Sequence, residues 1–173
     1  MTLSDAIAGM LIDWQGITDT ETIENVLKTL RPFKKVHEAI DSERQQHRFR
    51  LIAVEREVPP YRIELWILHG EKTITLVEYD APSIQDMEAV LKGYGAPDLV
   101  LQDKRTARGA GVKEYVYAGR GITLSIAEPY PWSEQKTREV VHVQLYRSGS
   151  VNYYWRYIGP GFELHPSPRS SEP

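Results

Sequence analysis

The sequence predicts an α+β fold, built as two related halves, each a helix followed by antiparallel sheet. Three observations lead there. Glu24-Asn25-Val26-Leu27-Lys28 and Glu88-Ala89-Val90-Leu91-Lys92 echo each other inside two helix-like segments. Several runs of alternating apolar and polar residues follow each segment, the pattern of strands with one face on a core. The strands follow one another through short turns with no β-α-β rhythm, which selects antiparallel pairing over a parallel sheet. A repeated helix-plus-sheet unit is the simplest reading of that order. It places a first half at residues 1–80, a second at 81–163 and a disordered tail at 164–173.

In chain order, Ser4 can cap a first helix whose apolar face is Leu3, Ile7, Met10, Leu11 and Trp14. Gly16 stops it. Thr18 and Glu21 form a capping-box pattern for a second helix, with Ile23, Val26, Leu27 and Leu30 as its buried stripe and Pro32 as its end. Lys35 to Ile40 is a weak strand candidate and His47 to Glu55 a better one. Pro59-Pro60 forces a break. Tyr61 to Leu68 then alternates strictly, Gly70-Glu71 turns the chain, and Ile74 and Leu76 alternate with Thr73, Thr75 and Val77. Ser83 opens the third helix, closed by Gly93, Gly95 and Pro97. Strands follow at Asp98–Gln102, Lys113–Ala118, Ile122–Glu128, Arg138–Tyr146 and Val151–Tyr157. In Arg138–Tyr146, Val141, Val143 and Leu145 are expected to face the core and His142, Gln144 and Tyr146 solvent.

The second half carries a resemblance. Tyr94-Gly95-Ala96-Pro97-Asp98 after a helix, then Tyr115-Val116-Tyr117-Ala118-Gly119-Arg120-Gly121-Ile122 and two more strands, resemble the small α+β modules of the beta-lactamase-inhibitor-protein-like group. They are also similar to the small outer-membrane assembly lipoproteins of that fold. The resemblance covers residues 83–157, and the first half fits by order of elements. It implies one or two helices on an antiparallel sheet and a sheet surface that grips a partner protein. The chain departs from both groups. The inhibitor has disulfides and the lipoproteins an acylated cysteine, whereas this chain has no cysteine.

Composition narrows the chemistry. The 173 residues are 41% hydrophobic and 26% charged, a globular balance with enough chain for a core. Without cysteine there is no disulfide scaffold, thiolate metal site or thiol nucleophile. A net charge of −3 provides no general attraction to nucleic acid. No apolar run approaches the roughly 20 residues of a membrane span. The acidic N-terminus does not read as a signal peptide, so a cytoplasmic protein is expected, or an exported one whose signal has been removed.

The five histidines are scattered and lack metal-ligand spacing, so no metal and no cofactor are expected. The serines lack a nucleophile-elbow context. The basic, glycine-bearing Asp103–Lys113 stretch lacks the setting of a phosphate loop and reads as a solvated hairpin loop. Tyr130-Pro131-Trp132 reads as a loop folded onto a sheet edge. The remaining oddity is aromatic: Tyr153-Tyr154-Trp155-Arg156-Tyr157, with Tyr146 before it. Tyr, Trp and Arg dominate binding hot spots. The sequence therefore predicts no enzyme, but a protein-binding module of the inhibitor or immunity type. Its contacts would be Arg50, Arg62, Trp66, His142 and Tyr146 on exposed sheet faces, with Tyr153, Trp155 and Tyr157 from the last strand. The alternative is a small-ligand carrier whose pocket is lined by Trp66, Tyr115, Tyr117 and Trp155.

Overall fold

A computed structural model describes residues 22–80, 87–103, 111–129, 138–159 and 164–166. The elements are helix α1 (Ile23–Thr29), strands β1 (Phe33–Arg44), β2 (His47–Arg56), β3 (Arg62–Leu68) and β4 (Leu76–Asp80), helix α2 (Met87–Tyr94), strands β5 (Leu99–Asp103), β6 (Gly111–Tyr117), β7 (Ile122–Glu128) and β8 (Glu139–Tyr146), a C-terminal helical segment (Val151–Tyr153, continuing through Tyr154–Ile158) and strand β9 (Leu164–Pro166). The expected first helix, Tyr130-Pro131-Trp132 and most of the basic loop lie outside the described residues.

The nine strands among the described residues form one sheet in the order β1-β2-β3-β4-β8-β7-β6-β5-β9. This corrects the expected fold class. The protein is a continuous antiparallel sheet with short helices, not two α+β halves side by side. The sheet does not stop where the halves were expected to meet, because β4 pairs with β8 from Leu76↔Tyr146 to Asp80↔His142. Each helix is only two turns long, seven residues in α1 and eight in α2. The pentapeptide echo falls within these helices and reflects one requirement met twice, an apolar stripe on a short amphipathic helix. Among the described residues no helix is long and apolar enough to cross a membrane.

Period-2 alternation gives the sheet two faces. On the first, Ile63 and Leu65 of β3 lie across from Tyr79 and Val77 of β4, which lie across from Val143 and Leu145 of β8. Leu124 and Ile122 of β7 continue the row. Val26 of α1, the C-cap residue Leu30 and Tyr94 of α2 belong to this core cluster. Thr22, not the earlier Thr18, caps α1, accepting from the Asn25 N–H at 3.4 Å.

The second face, expected to be solvated, is also largely buried. It carries Trp66, Leu76, Glu78, Gln144, Tyr146, Thr123, Ser125 and Glu114. Of these, Glu114, Thr123, Ser125 and Gln144 are at most 1% exposed, and Tyr146 is fully buried. The covering element is the segment read as a last strand, Val151–Tyr157, which is helical. Ser150 caps it, accepting from the Tyr153 N–H at 3.3 Å. Tyr154 and Ile158, four residues apart, then turn onto the sheet together. The aromatic alternation that resembles a strand is equally compatible with a helix burying one of every four positions.

Within β8 a shift in register between Ser125 and Ile126 of β7 leaves Val141 as the extra residue. Val140 is therefore buried, and Val141, expected in the core, is 36% exposed.

Candidate binding surface

The site is built from the sheet outwards, beginning with charges that a mostly buried face must neutralise. Across the sheet, Glu78 of β4 faces Gln144 of β8 and Asp80 faces His142. On the other side of β8, Ser125 of β7 faces His142, and Glu114 of β6 faces Ser125. Arg44, at the end of β1, closes the network. Its Nη1 donates to Glu78 Oε2 at 2.8 Å, its Nε to the Ile158 carbonyl at 2.5 Å and its Nη2 to the Gly159 carbonyl at 3.3 Å. Its guanidinium also lies 5.2 Å from the Trp66 ring centre. One side chain thus ties the β1–β2 hairpin to the sheet centre and to the end of the C-terminal segment.

Burial alone would push the Glu78 carboxyl up. His142, the charge and hydrogen bond of Arg44 and the Gln144 amide outweigh it and hold the group down at about 2. The Gln144 Nε2 donates to Glu78 Oε1 at 2.7 Å. His142 sits between two acids, 3.6 Å from Glu78 and 3.3 Å from Asp80. Burial opposes its charged form, but both carboxylates raise its pKa above the usual histidine value. Glu114 is the opposite case. Burial pushes its carboxyl up to about 7, and the hydrogen bond donated by the Tyr154 hydroxyl at 3.0 Å offsets only part of that. Two carboxylates on one face are therefore displaced in opposite directions, Glu78 down where Arg44 and His142 contact it and Glu114 up where its hydrogen-bond partner is a hydroxyl.

This network anchors the last helical segment. Tyr154 contributes the bond to Glu114 and a ring 5.9 Å from Tyr146. The Gly159 N–H donates to the Tyr154 carbonyl at 2.8 Å, a bond spanning five residues, so the last turn is a widened π-turn. Gly159 has φ +56, and a Cβ there would fall within 2.0 Å of the Gln45 side chain. This position therefore requires glycine.

With Tyr154 and Ile158 turned inward, Tyr153 and Tyr157 are half-buried at the edge of the same cluster and Trp155 and Arg156 are exposed. The Tyr153 and Tyr157 rings lie 5.1 Å apart, and His47 stacks on Tyr157 at 5.1 Å. Arg156 covers the Tyr157 ring at 5.2 Å. Trp155 is 38% exposed. Between Tyr153, Tyr157 and Arg147 on one side, and Leu68, Glu71 and Thr75 on the other, lies an open concavity of about 220 Å3.

The residues expected to form one contact surface divide into three groups. Tyr153 and Tyr157 come together, although on a helical segment and not on a strand, whereas Trp155, two residues from each, lies on another side of it, edge-on to Tyr154 at 5.7 Å. Trp66, His142 and Tyr146 lie on the second sheet face. There Tyr146 is core, its hydroxyl 3.0 Å from Thr123 Oγ1 and 3.3 Å from the Ile122 carbonyl, and Trp66 packs under Arg44 and edge-on to Phe49. Arg50 and Arg62 are exposed but paired, with Glu38 and Glu64 at 2.5 Å each. They also point to opposite sides, since Arg50 faces Ile67 whereas Arg62 shares the parity of Trp66.

The rings of the expected pocket do not converge either. Tyr115 and Tyr117 face Leu124 and Ile122 on the first face, and Trp66 is on the second. A larger open hollow of about 550 Å3 lies between α1, Ile40 and the β3–β4 turn, and none of the four rings lines it. Sequence reasoning missed Arg44, Glu78 and Glu114. Their alternation is visible, but an ion pair between positions 34 residues apart leaves no local trace.

No group of three or more His, Asp or Glu among the described residues is placed to hold a metal ion. Ser125 faces His142 across the strands, but no hydrogen bond joins them, and the Ser125 hydroxyl has no partner among the described residues. The fold and the site thus define a single-sheet antiparallel protein with an aromatic, arginine-bearing outer surface. Comparison with protein-family models, with curated proteins and with solved structures finds no significant match.

Proposed function

We propose that the chain is a non-catalytic protein-binding module whose contact surface is the outer side of the C-terminal helical segment. The observation that carries this reading is the exposed Trp155 and Arg156, with the Tyr153–Tyr157 ring pair on an adjacent side, on a segment anchored from beneath by Tyr154, Ile158 and Arg44. Aromatic rings held in place before contact give large contact area at low entropic cost. Arg147 and Arg156 flank the rings and have no ion-pair partner among the described residues. The ligand class they favour is a protein segment carrying acidic side chains beside an apolar anchor. Arg50 and Arg62 are already matched by their own carboxylates and lie outside this surface.

The reading is tested by selecting a displayed peptide library on the folded chain and measuring the winners by calorimetry. Enrichment of acidic–aromatic peptides is expected. Trp155→Ala should weaken their binding about 30-fold or more, the loss typical of a hot-spot aromatic. Trp155 is 38% exposed and edge-on to Tyr154, so its removal should lower the melting temperature modestly, and circular dichroism should show the variant folded where binding is measured. Peptides that bind the Trp155→Ala chain as well as the parent would refute the proposal.

A further inference from the structure

The concavity beside the C-terminal segment has one wall of each charge. Arg147, directly after β8, borders it with Tyr153 and Tyr157, and Glu71 borders it from the opposite side with Leu68 and Thr75. Among the described residues neither charge has an ion-pair or side-chain hydrogen-bond partner, and no salt bridge joins the two across the hollow. Other surface arginines are answered within the chain, Arg50 by Glu38, Arg62 by Glu64 and Arg138 by Glu128.

The backbone under both charges is fixed. The Glu71 N–H donates to the Leu68 carbonyl at 2.9 Å, the Leu68 N–H to Thr75 Oγ1 at 3.1 Å and the Thr75 N–H to the Trp66 carbonyl at 2.8 Å. An isolated antiparallel bridge from Thr22 to Thr73 braces the same turn. Arg147 follows the fully buried Tyr146 and precedes the Ser150 cap. Opposite charges on braced supports that do not close on each other are preorganised for a molecule carrying both.

Between the charges the lining is apolar. Ile74 is 3% exposed, Leu68 lies beside it, and the Tyr153 and Tyr157 rings stand 5.1 Å apart. At about 220 Å3 the hollow is smaller than the roughly 300–1,000 Å3 of sites for drug-sized ligands, so it suits one small molecule and not a nucleotide. We infer that the hollow binds a free α-amino acid with a large apolar side chain, its carboxylate on Arg147, its ammonium on Glu71 and its side chain against Tyr153, Tyr157, Leu68 and Ile74. The guanidinium offers a carboxylate two parallel N–H donors. A plain carboxylic acid would leave Glu71 unanswered and a plain amine would leave Arg147 unanswered; the zwitterion answers both. The site shares Arg147 and the tyrosine pair with the proposed contact surface but does not include Trp155, and it does not rest on that reading.

The test is calorimetric titration of the full chain. L-phenylalanine and L-leucine should saturate a single site with a Kd of about 1 mM or tighter. N-acetyl-L-phenylalanine lacks the ammonium and L-phenylalaninamide lacks the carboxylate. Each should bind about tenfold more weakly or worse, having lost one hydrogen bond between charged groups. Glycine, without a side chain for the apolar lining, should be weaker by a similar factor. Two variants assign the ends. Glu71→Gln should bind L-phenylalanine and its N-acetyl derivative alike, and Arg147→Gln should bind L-phenylalanine and its amide alike. Both side chains are exposed and unpaired, so circular dichroism of the variants should match the parent. Three results would each overturn the inference. One is no saturation by either amino acid at about ten times the expected Kd. Another is glycine or a blocked derivative binding as L-phenylalanine does. The third is variants that keep the parent's discrimination. Peptide binding is read by its dependence on Trp155 and amino-acid binding by its dependence on two free end groups, so either can fail with the other intact.

Discussion

The two faces of the central sheet bury comparable residues by different physics. The face under α1 and α2 is apolar, with Ile63, Leu65, Val77, Leu124, Val143 and Leu145 all fully buried. Its stabilisation follows from area removed from water and tolerates changes of pH. The face under the C-terminal segment buries Glu78, Glu114, Gln144, Thr123 and Ser125 beside Leu76, Tyr146 and Tyr154. There each charge costs free energy unless a partner reaches it, and Arg44 arrives from the distant hairpin to supply one. The first face therefore holds the sheet together, and the second also fixes one particular cover, the segment that presents Trp155.

The largest expected effect breaks the second face. Arg44→Ala leaves the Glu78 carboxylate buried without its cation and frees the Ile158 and Gly159 carbonyls. Loss of one partner of a buried pair costs about 3–5 kcal/mol, measurable by urea unfolding. Combining Arg44→Met with Glu78→Leu should recover most of it, because the double change removes the stranded charge. A single Arg44→Ala costing under about 1 kcal/mol would show that Glu78 is solvated.

On the first face, Leu65→Ala opens a cavity and should cost about 2–5 kcal/mol. That loss should be the same at every pH within the native range, which sharpens the contrast with the titrating face.

The third expectation concerns pH itself. Glu114, raised to about 7 from an ordinary 4.5, contributes stability that is complete below 4.5 and lost as pH rises through 7. Glu78, lowered to about 2, contributes stability that is complete above 4.5 and lost as pH falls towards 2. His142, raised, adds to the loss on the alkaline side. Stability should thus peak in mildly acidic solution. The Glu114 share of the decline between pH 4.5 and 8 is on the order of 3 kcal/mol, from about 1.4 kcal/mol per unit. Glu114→Gln should flatten that limb and leave the acid limb in place. An unchanged alkaline limb in the variant would assign the decline to other groups.

The smallest effect loosens the cover alone. Ser150→Ala removes the cap of the C-terminal segment and should cost about 1 kcal/mol. Amide exchange should quicken over residues 151–158 while the N–H groups of β3 and β7 keep their protection.

The legibility of the molecule follows the range of its interactions. The strands were legible where alternation is local, so Ile122–Glu128 is found with the expected ends and β3, β4, β5, β6 and β8 within a few residues. Helices α1 and α2 were legible from their stripes and terminal glycine or proline. Val151–Tyr157 was not, because a run of aromatics satisfies both periods, and the Ser150 cap with Tyr154 and Ile158 four apart was the overlooked signal. In the candidate surface, Tyr153 and Tyr157 are neighbours, as residues four apart on a helical segment are, whereas Trp155 lies on another side of it. Tyr146 is core, and Trp66 and His142 are only half-exposed, because alternation shows which residues share a face but not whether that face is covered.

The sequence by itself determined which residues could alternate in strands, where short helices stop, and that thiol chemistry is absent, since these follow from side-chain type and spacing. Only the tertiary structure decided that the two runs of strands join through β4 and β8 into one sheet, and that the second face is closed by a helical segment. It also decided that Arg44 meets Glu78 while Glu114 meets only a hydroxyl. Such outcomes depend on which distant groups come within a few ångströms, where desolvation and charge pairing act. No local pattern encodes that proximity.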